Sequence, residues 1–95
     1  MKIVWSTEAR KDLRAIRTFI ARDSEFYAAQ MVRRIVERAE SIAVALKRGH
    51  RVHEYPELAL REVHEPPYRI LYRVSAETVE IVTLVHFKRR LGRLV

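Results

Sequence analysis

Between Arg61 and Arg90 the chain alternates strand-forming residues with charge: Arg61-Glu62, Tyr68-Arg69-Ile70-Leu71-Tyr72-Arg73-Val74, Val79 to His86, and Lys88-Arg89-Arg90. A guanidinium presents a planar fork of donors that fits phosphate and carboxylate alike, so arginine on a sheet face needs an acidic partner, a ligand or water. Fifteen of the nineteen basic residues are arginine and the formal net charge is +7, which predicts attraction to nucleic acid or to an acidic protein surface. Arg10, Arg14, Arg33 and Arg38 are expected to be solvated helix-face residues with acidic neighbours. Lys47-Arg48 with Arg51, and Lys88-Arg89-Arg90 with Arg93, lack acidic residues on both sides and stand apart as cationic clusters.

Other chemistry is scarce. No cysteine is present, which excludes disulfides, thiol nucleophiles and cysteine-ligated zinc, and fits a reducing compartment. His50 and His53 are near neighbours in a basic stretch, but no helical ligand motif accompanies them, so neither a metal nor another cofactor is expected. Met1-Lys2-Ile3-Val4-Trp5 enters strand-like sequence without a signal-peptide core, and no apolar run approaches a bilayer span. The chain is expected to be soluble and cytoplasmic, without a membrane partner.

The elements that must position these residues follow from period and punctuation. Ninety-five residues predict a single domain over 1–95, able to fold alone but with little room for a deep pocket. A short strand at 2–5 leads to Ser6, a plausible cap for a helix with Ala9, Leu13, Ile16 and Ile20 on one face. Arg22-Asp23-Ser24 breaks that helix, and Asp23 or Ser24 can cap a second carrying Ala28, Val32, Ile35, Ala39, Ile42 and Leu46. Two such stripes predict an antiparallel helical hairpin, with Gly49 ending the second helix. Pro56 and Pro66-Pro67 then bracket a short strand over 60–64.

The last two strands can be paired directly. A loop at Ser75 to Thr78 sets Val74 against Val79, Tyr72 against Ile81 and Ile70 against Thr83, an apolar face for the helices to cover. The opposite face then carries Arg69, Leu71 and Arg73 against Leu84, Val82 and Glu80. Arg73 and Glu80 form an ordinary cross-strand ion pair in this register. Arg69 faces no carboxylate there, leaving either a bridge to Glu62 or Glu65 on the neighbouring strand or a direct functional contact.

In order and spacing, the chain resembles the RelE/ParE superfamily of toxins from bacterial type II toxin–antitoxin systems. The resemblance is carried by Trp5-Ser6 with Ala9, Asp12-Leu13 and Ile16, then Gly49 and Glu54, Arg61-Glu62, Tyr68-Arg69-Ile70-Leu71-Tyr72, and Val85-His86 before a basic tail. It implies an α+β fold: an N-terminal strand, a two-helix antiparallel hairpin, a three-stranded antiparallel meander and a short basic C-terminal tail. Two activities compete within such a family. RelE-like members cut messenger RNA on the ribosome, which requires an acid–base set and stabilisation of the phosphate. ParE-like members bind DNA gyrase and stall it, which requires a recognition surface alone.

Compared with the cleaving pattern, this chain departs at several positions. Lysines expected on the strand before the tyrosine–arginine motif fall at Leu60 and Glu62, and a carboxylate there repels RNA. The motif arginine is kept as Arg69 and a tail arginine falls at Arg89, but no tyrosine follows Tyr72. A second nuclease pattern implies Glu54, Arg69 and His86 as the catalytic set, whereas Glu54 could equally pair with Arg51 or Arg61. The details lean toward a ParE-like inhibitor of DNA gyrase that acts by occupying a surface. Arg61, Arg69, Lys88, Arg89, Arg90 and Arg93 are the expected target contacts. Trp5, Leu13, Ile16, Ile20, Val32 and Ile35 on the helical hairpin are the expected dock for a ParD-like antitoxin with a DNA-binding ribbon-helix-helix region. An antitoxin segment that folds on binding suits this dock. RNA or the ribosome enters only under the nuclease alternative.

Overall fold

A computed structural model describes residues 1–44 and 49–89 of the chain. Strand β1 (Lys2–Trp5) is followed by helix α1 (Thr7–Ala21) and helix α2 (Glu25–Ser41). Both helices begin where the sequence predicts, because Ser6 Oγ accepts the Ala9 amide at 2.9 Å and Ser24 Oγ accepts the Tyr27 amide at 3.1 Å. Each bond satisfies one of the amides that the first helical turn leaves without a partner. The second helix ends at Ser41 rather than near Gly49, with turns continuing to Val44; Leu46 and the Lys47-Arg48 cluster lie outside the described residues.

After α2 come β2 (His50–Arg51), a 3-10 turn (Pro56–Leu58), β3 (Arg61–Glu65), β4 (Tyr68–Val74) and β5 (Thr78–His86). The strands form one mixed sheet in the order β1-β5-β4-β3-β2. The expected meander is β3, β4 and β5. To it the fold adds β1, parallel to β5, and the two-residue β2, antiparallel to β3.

The helices cover one face of this sheet. Ala9, Ile16, Ile35, Ala39 and Ile42 pack there against Tyr68, Ile70, Tyr72, Val79, Ile81 and Leu84. On the other face the segment after β2 folds back, and Val52 and Leu60 form a smaller core with Leu71 and Val85. Tyr72 and Ile70 are fully buried. Burying a large apolar side chain contributes about 1.5–3 kcal/mol, so the two clusters supply the main drive to fold.

The register of β4 on β5 corrects the sequence reading in one respect. Val74, Arg73 and Tyr72 oppose Val79, Glu80 and Ile81 as expected, and Arg73 bonds Glu80 at 3.1 Å. A bulge next to Leu71 then admits an extra residue, so Ile70 opposes Leu84 instead of Thr83 and Arg69 opposes Val85 instead of Leu84. The slip puts Leu84 in the main core and Val85 in the smaller one. It also aligns the open edge of β5, beyond the end of β1, with α1. There Asp12 Oδ2 accepts from the Thr83 hydroxyl at 2.6 Å and the Leu84 amide at 3.0 Å, while the Ser6 hydroxyl donates to the Val82 carbonyl at 2.8 Å. An unpaired sheet edge is thereby closed by side chains of the helix that crosses it.

Gly49 meets the core at a position where no side chain fits. A Cβ there would run into Tyr72 Oη and lie 2.8 Å from the ring carbons Cε1 and Cζ, on a tyrosine with no exposed surface. Its carbonyl also accepts from Arg61 Nη1 at 2.9 Å, tying the segment after α2 to β3. Gly49→Ala is expected to cost about 1–3 kcal/mol of stability, the usual effect of overpacking a filled site. A shift of the chemical denaturation midpoint measures it; an unchanged midpoint would mean that the Tyr72 ring moves aside freely.

Candidate functional site

The two faces of the sheet carry different chemistry. Residues opposite one another on paired strands share a face, so Arg69 lies with Val85, His64 and Glu62, whereas Tyr68 lies with His86 on the helix-covered side.

On the face away from the helices, Arg69 is the hub of an ion-pair network. Its Nε and Nη2 donate to the two oxygens of Glu62 at 2.9 and 2.6 Å, and Nη1 and Nη2 donate to those of Glu54 at 3.0 and 3.2 Å. Four hydrogen bonds therefore engage all three nitrogens of the guanidinium, which has five N–H groups to offer. Its side chain is only 12% exposed, and that of Glu62 only 9%. His64 Nε2 sits 2.6 Å from Glu62 Oε1, and its ring packs edge-on against Phe87 at 5.1 Å. Burial pushes the Glu62 carboxyl up, but the hydrogen bonds from Arg69 and His64 outweigh it and hold the group below its ordinary value. Glu54 is lowered chiefly by its bonds to Arg69, and the same carboxylates hold the Arg69 guanidinium above its usual range.

These contacts resolve the alternatives left open by the sequence. Arg69 takes Glu62 and not Glu65, which lies on the helix side and meets Arg38 of α2 at 3.5 Å. Glu54 takes Arg69 and not Arg51 or Arg61. The sequence offered no signal for that last pairing, because it depends on the segment after β2 folding over the sheet.

The residues considered as one acid–base set are not brought together. Glu54 and Arg69 are in contact, but His86 stands on the other face, ring to ring with Tyr68 at 5.4 Å, with Nδ1 accepting the Lys88 amide at 3.1 Å. The expected target contacts are divided as well. Arg61 opposes Tyr72 on the helix side and bonds the Gly49 carbonyl, Arg69 is enclosed on the far side, and Lys88 and Arg89 are exposed after β5. Arg90 and Arg93 lie outside the described residues. Arg69 as a direct target contact is thus corrected: its side chain is enclosed and all three of its nitrogens are already engaged by two carboxylates.

The expected antitoxin dock needs a similar correction. Ile35 is fully buried and Ile16 is 9% exposed, both facing the sheet in the main core, because the apolar stripe of each helix is what the fold itself uses. Trp5, Leu13 and Ile20 pack against that core while staying partly open, and Val32 is half-buried. The large side chains the hairpin leaves to solvent are Phe19, Phe26 and Tyr27, at 65%, 69% and 61% exposure. Their position off the apolar stripes was the sequence signal that could have marked them.

No group of His, Cys, Asp or Glu among the described residues is placed to hold a metal ion. No helix among them is long and apolar enough to cross a membrane.

A helical hairpin laid on one face of a five-stranded mixed sheet, with a clamped arginine on the other, defines a small α+β domain. Residues 3–91 match the family described as ParE toxin of type II toxin-antitoxin system, parDE, so the chain belongs to that family. It is 37% identical over 89 residues to Toxin RelE2 of Caulobacter vibrioides, covering 93% of this chain and 97% of that protein. The fold is also that of a solved chain from the chromosomal ParDE TA system from P. aeruginosa, with a TM-score of 0.77 and 24% identity over 90% of this chain and 95% of that one.

Proposed function

We propose that this ParE-family toxin inhibits a DNA topoisomerase, gyrase foremost, by occupying a surface rather than by cutting RNA, and that a ParD-like antitoxin neutralises it in the cytoplasm. The observation that carries this reading is the separation of His86 from Glu54 and Arg69 by the sheet. General acid–base chemistry needs its groups within hydrogen-bond reach of one reacting centre, and groups on opposite faces have none in common. Glu62 adds to the argument: it presents a carboxylate, already bound to Arg69, where a phosphate-facing lysine would serve a nuclease. The exposed cations of Lys88 and Arg89 and the basic residues that follow are the proposed target contacts. Arg61 supports them, and Arg69 shapes the far face without touching the target. The exposed side of the helical hairpin is the proposed antitoxin dock.

Induction in cells tests the reading. Trapped cleaved DNA on gyrase, with an intact transcript pool by primer extension, is the expected result. Codon-phased transcript cuts that vanish in Glu54→Gln and in His86→Ala would overturn it in favour of a ribosome-dependent endoribonuclease.

A further inference from the structure

Strand β5 ends in a turn closed at three points. The Arg89 amide donates to the His86 carbonyl at 2.9 Å, the Lys88 amide to His86 Nδ1 at 3.1 Å, and the Phe87 amide to the Pro67 carbonyl at 2.9 Å, which ties the turn to the connection between β3 and β4. Phe87 and Lys88 are thus the two corner residues of a four-residue turn. Such corners ordinarily take Gly, Pro, Asn, Asp or Ser, for their backbone geometry or local hydrogen bonding, and an aromatic ring serves neither need. The interior does not use the ring either: Phe87 belongs to neither hydrophobic core and is 44% exposed. It is nonetheless held, edge-on against His64 at 5.1 Å, and His64 is itself fixed by its 2.6 Å contact with Glu62. Lys88 and Arg89 follow it in the turn, both exposed, and among the described residues no carboxylate pairs with either. Single exposed apolar side chains are ordinary on protein surfaces. A restrained ring at a turn corner, next to unpaired cations, is instead the pattern of an interface anchor, which fills a pocket and loses little freedom on binding.

We propose that Phe87 anchors the toxin on its target by filling an apolar pocket of the target protein, and that Lys88 and Arg89 meet carboxylates at the rim of that pocket. The inference rests on the proposed inhibition of a topoisomerase and names the part of the enzyme–DNA complex that the turn engages, which is protein and not DNA. A duplex laid along this side of the sheet would bring its phosphates to Glu54 and Glu62, two carboxylates against the single guanidinium of Arg69, and be repelled. A protein pocket need cover only the turn. The two kinds of side chain then act on different rates: burial of the ring sets how long the complex lasts, and the cations set how fast it forms.

Biolayer interferometry of the full-length chain against purified gyrase free of DNA, and against a DNA duplex alone, tests it beside a gyrase cleavage assay. Phe87→Ala is expected to weaken binding to gyrase by about tenfold or more, chiefly through faster dissociation. Phe87→Leu, which keeps most of the apolar bulk, is expected to recover part of that loss. Lys88→Ala is expected to slow association at low salt, with the difference from wild type fading as salt is raised. Thermal melting of each variant checks that the fold is kept, as the place of Phe87 outside both cores leads one to expect. Unchanged affinity in Phe87→Ala, with a loss in Lys88→Ala, would reduce the contact to charge and overturn the proposal. So would affinity for the duplex alone that depends on Phe87 as strongly, or cleaved DNA trapped on gyrase by a toxin with no affinity for the DNA-free enzyme. Wild type that neither binds gyrase nor traps cleaved DNA would remove the topoisomerase reading itself, and the anchor with it.

Discussion

Arg69→Met is expected to lower stability by about 3–5 kcal/mol, the usual loss when one partner of a buried ion pair is removed. The magnitude follows from what is left behind. Glu62, with its side chain 9% exposed, would lose its two bonds from Arg69 and keep only His64, while Glu54 would remain nearby as a second uncompensated carboxylate. Glu54 is 44% exposed and adds less, because water screens it. Urea denaturation at neutral pH measures the loss. Adding Glu62→Leu to Arg69→Met is expected to recover most of it, since apolar replacement of a buried pair is often neutral or stabilising. A lone Arg69→Met that melts like the wild type would mean that the network contributes nothing to the fold.

The same network sets the acid limb of stability. Glu62 and Glu54 titrate below their ordinary value of 4.5 in the folded chain, so their contribution is fully present above that value. It is lost as pH falls through the lowered folded values, because the unfolded chain then binds protons that the folded chain refuses. The wild type should therefore lose stability below about pH 4.5 more steeply than Arg69→Met. Parallel acid limbs for the two proteins would place the acid sensitivity elsewhere.

Deleting residues 88–95 is expected to abolish growth arrest while the complex with the antitoxin still forms. The segment carries Lys88, Arg89, Arg90 and Arg93, four of the nineteen basic residues. Oriented charge of this kind accelerates encounter with an anionic partner by ~10–1,000-fold, so its removal should act on target engagement first. Of the deleted residues that the structure describes, Lys88 and Arg89 belong to neither hydrophobic core, and Phe87, whose amide bonds the Pro67 carbonyl at 2.9 Å, is kept. Growth after induction reports the first effect, and co-purification with the antitoxin the second. Preserved arrest with a lost antitoxin complex would reverse the proposed division between tail and hairpin.

Much of the architecture was legible in the chain, for local reasons. Ser6 and Ser24 announce both helix starts because a cap acts over three residues, and the stripes Ala9–Ile16 and Ala28–Ile35–Ala39 mark the buried faces because helical period is a local property. The hairpin closing on Val74 and Val79 and the Arg73–Glu80 pair were readable as far as the period of two ran unbroken. One bulge then displaced every pairing beyond it, and no residue near Leu71 signals that bulge.

The sequence by itself determined the element order, the helical caps, the apolar faces and the excess of arginine. Only the tertiary structure decided what the arginines do. Arg69 could have been a target contact or a bridge to Glu62 or Glu65; Glu54 reaches it through the chain segment folded over the sheet and Glu62 through the adjacent strand. His86 joined them only under the nuclease alternative, and the pleat sends it to the other face. Caps and periods depend on neighbours a few residues away, whereas charge pairing depends on which distant segments meet, and that is settled only when the whole sheet packs.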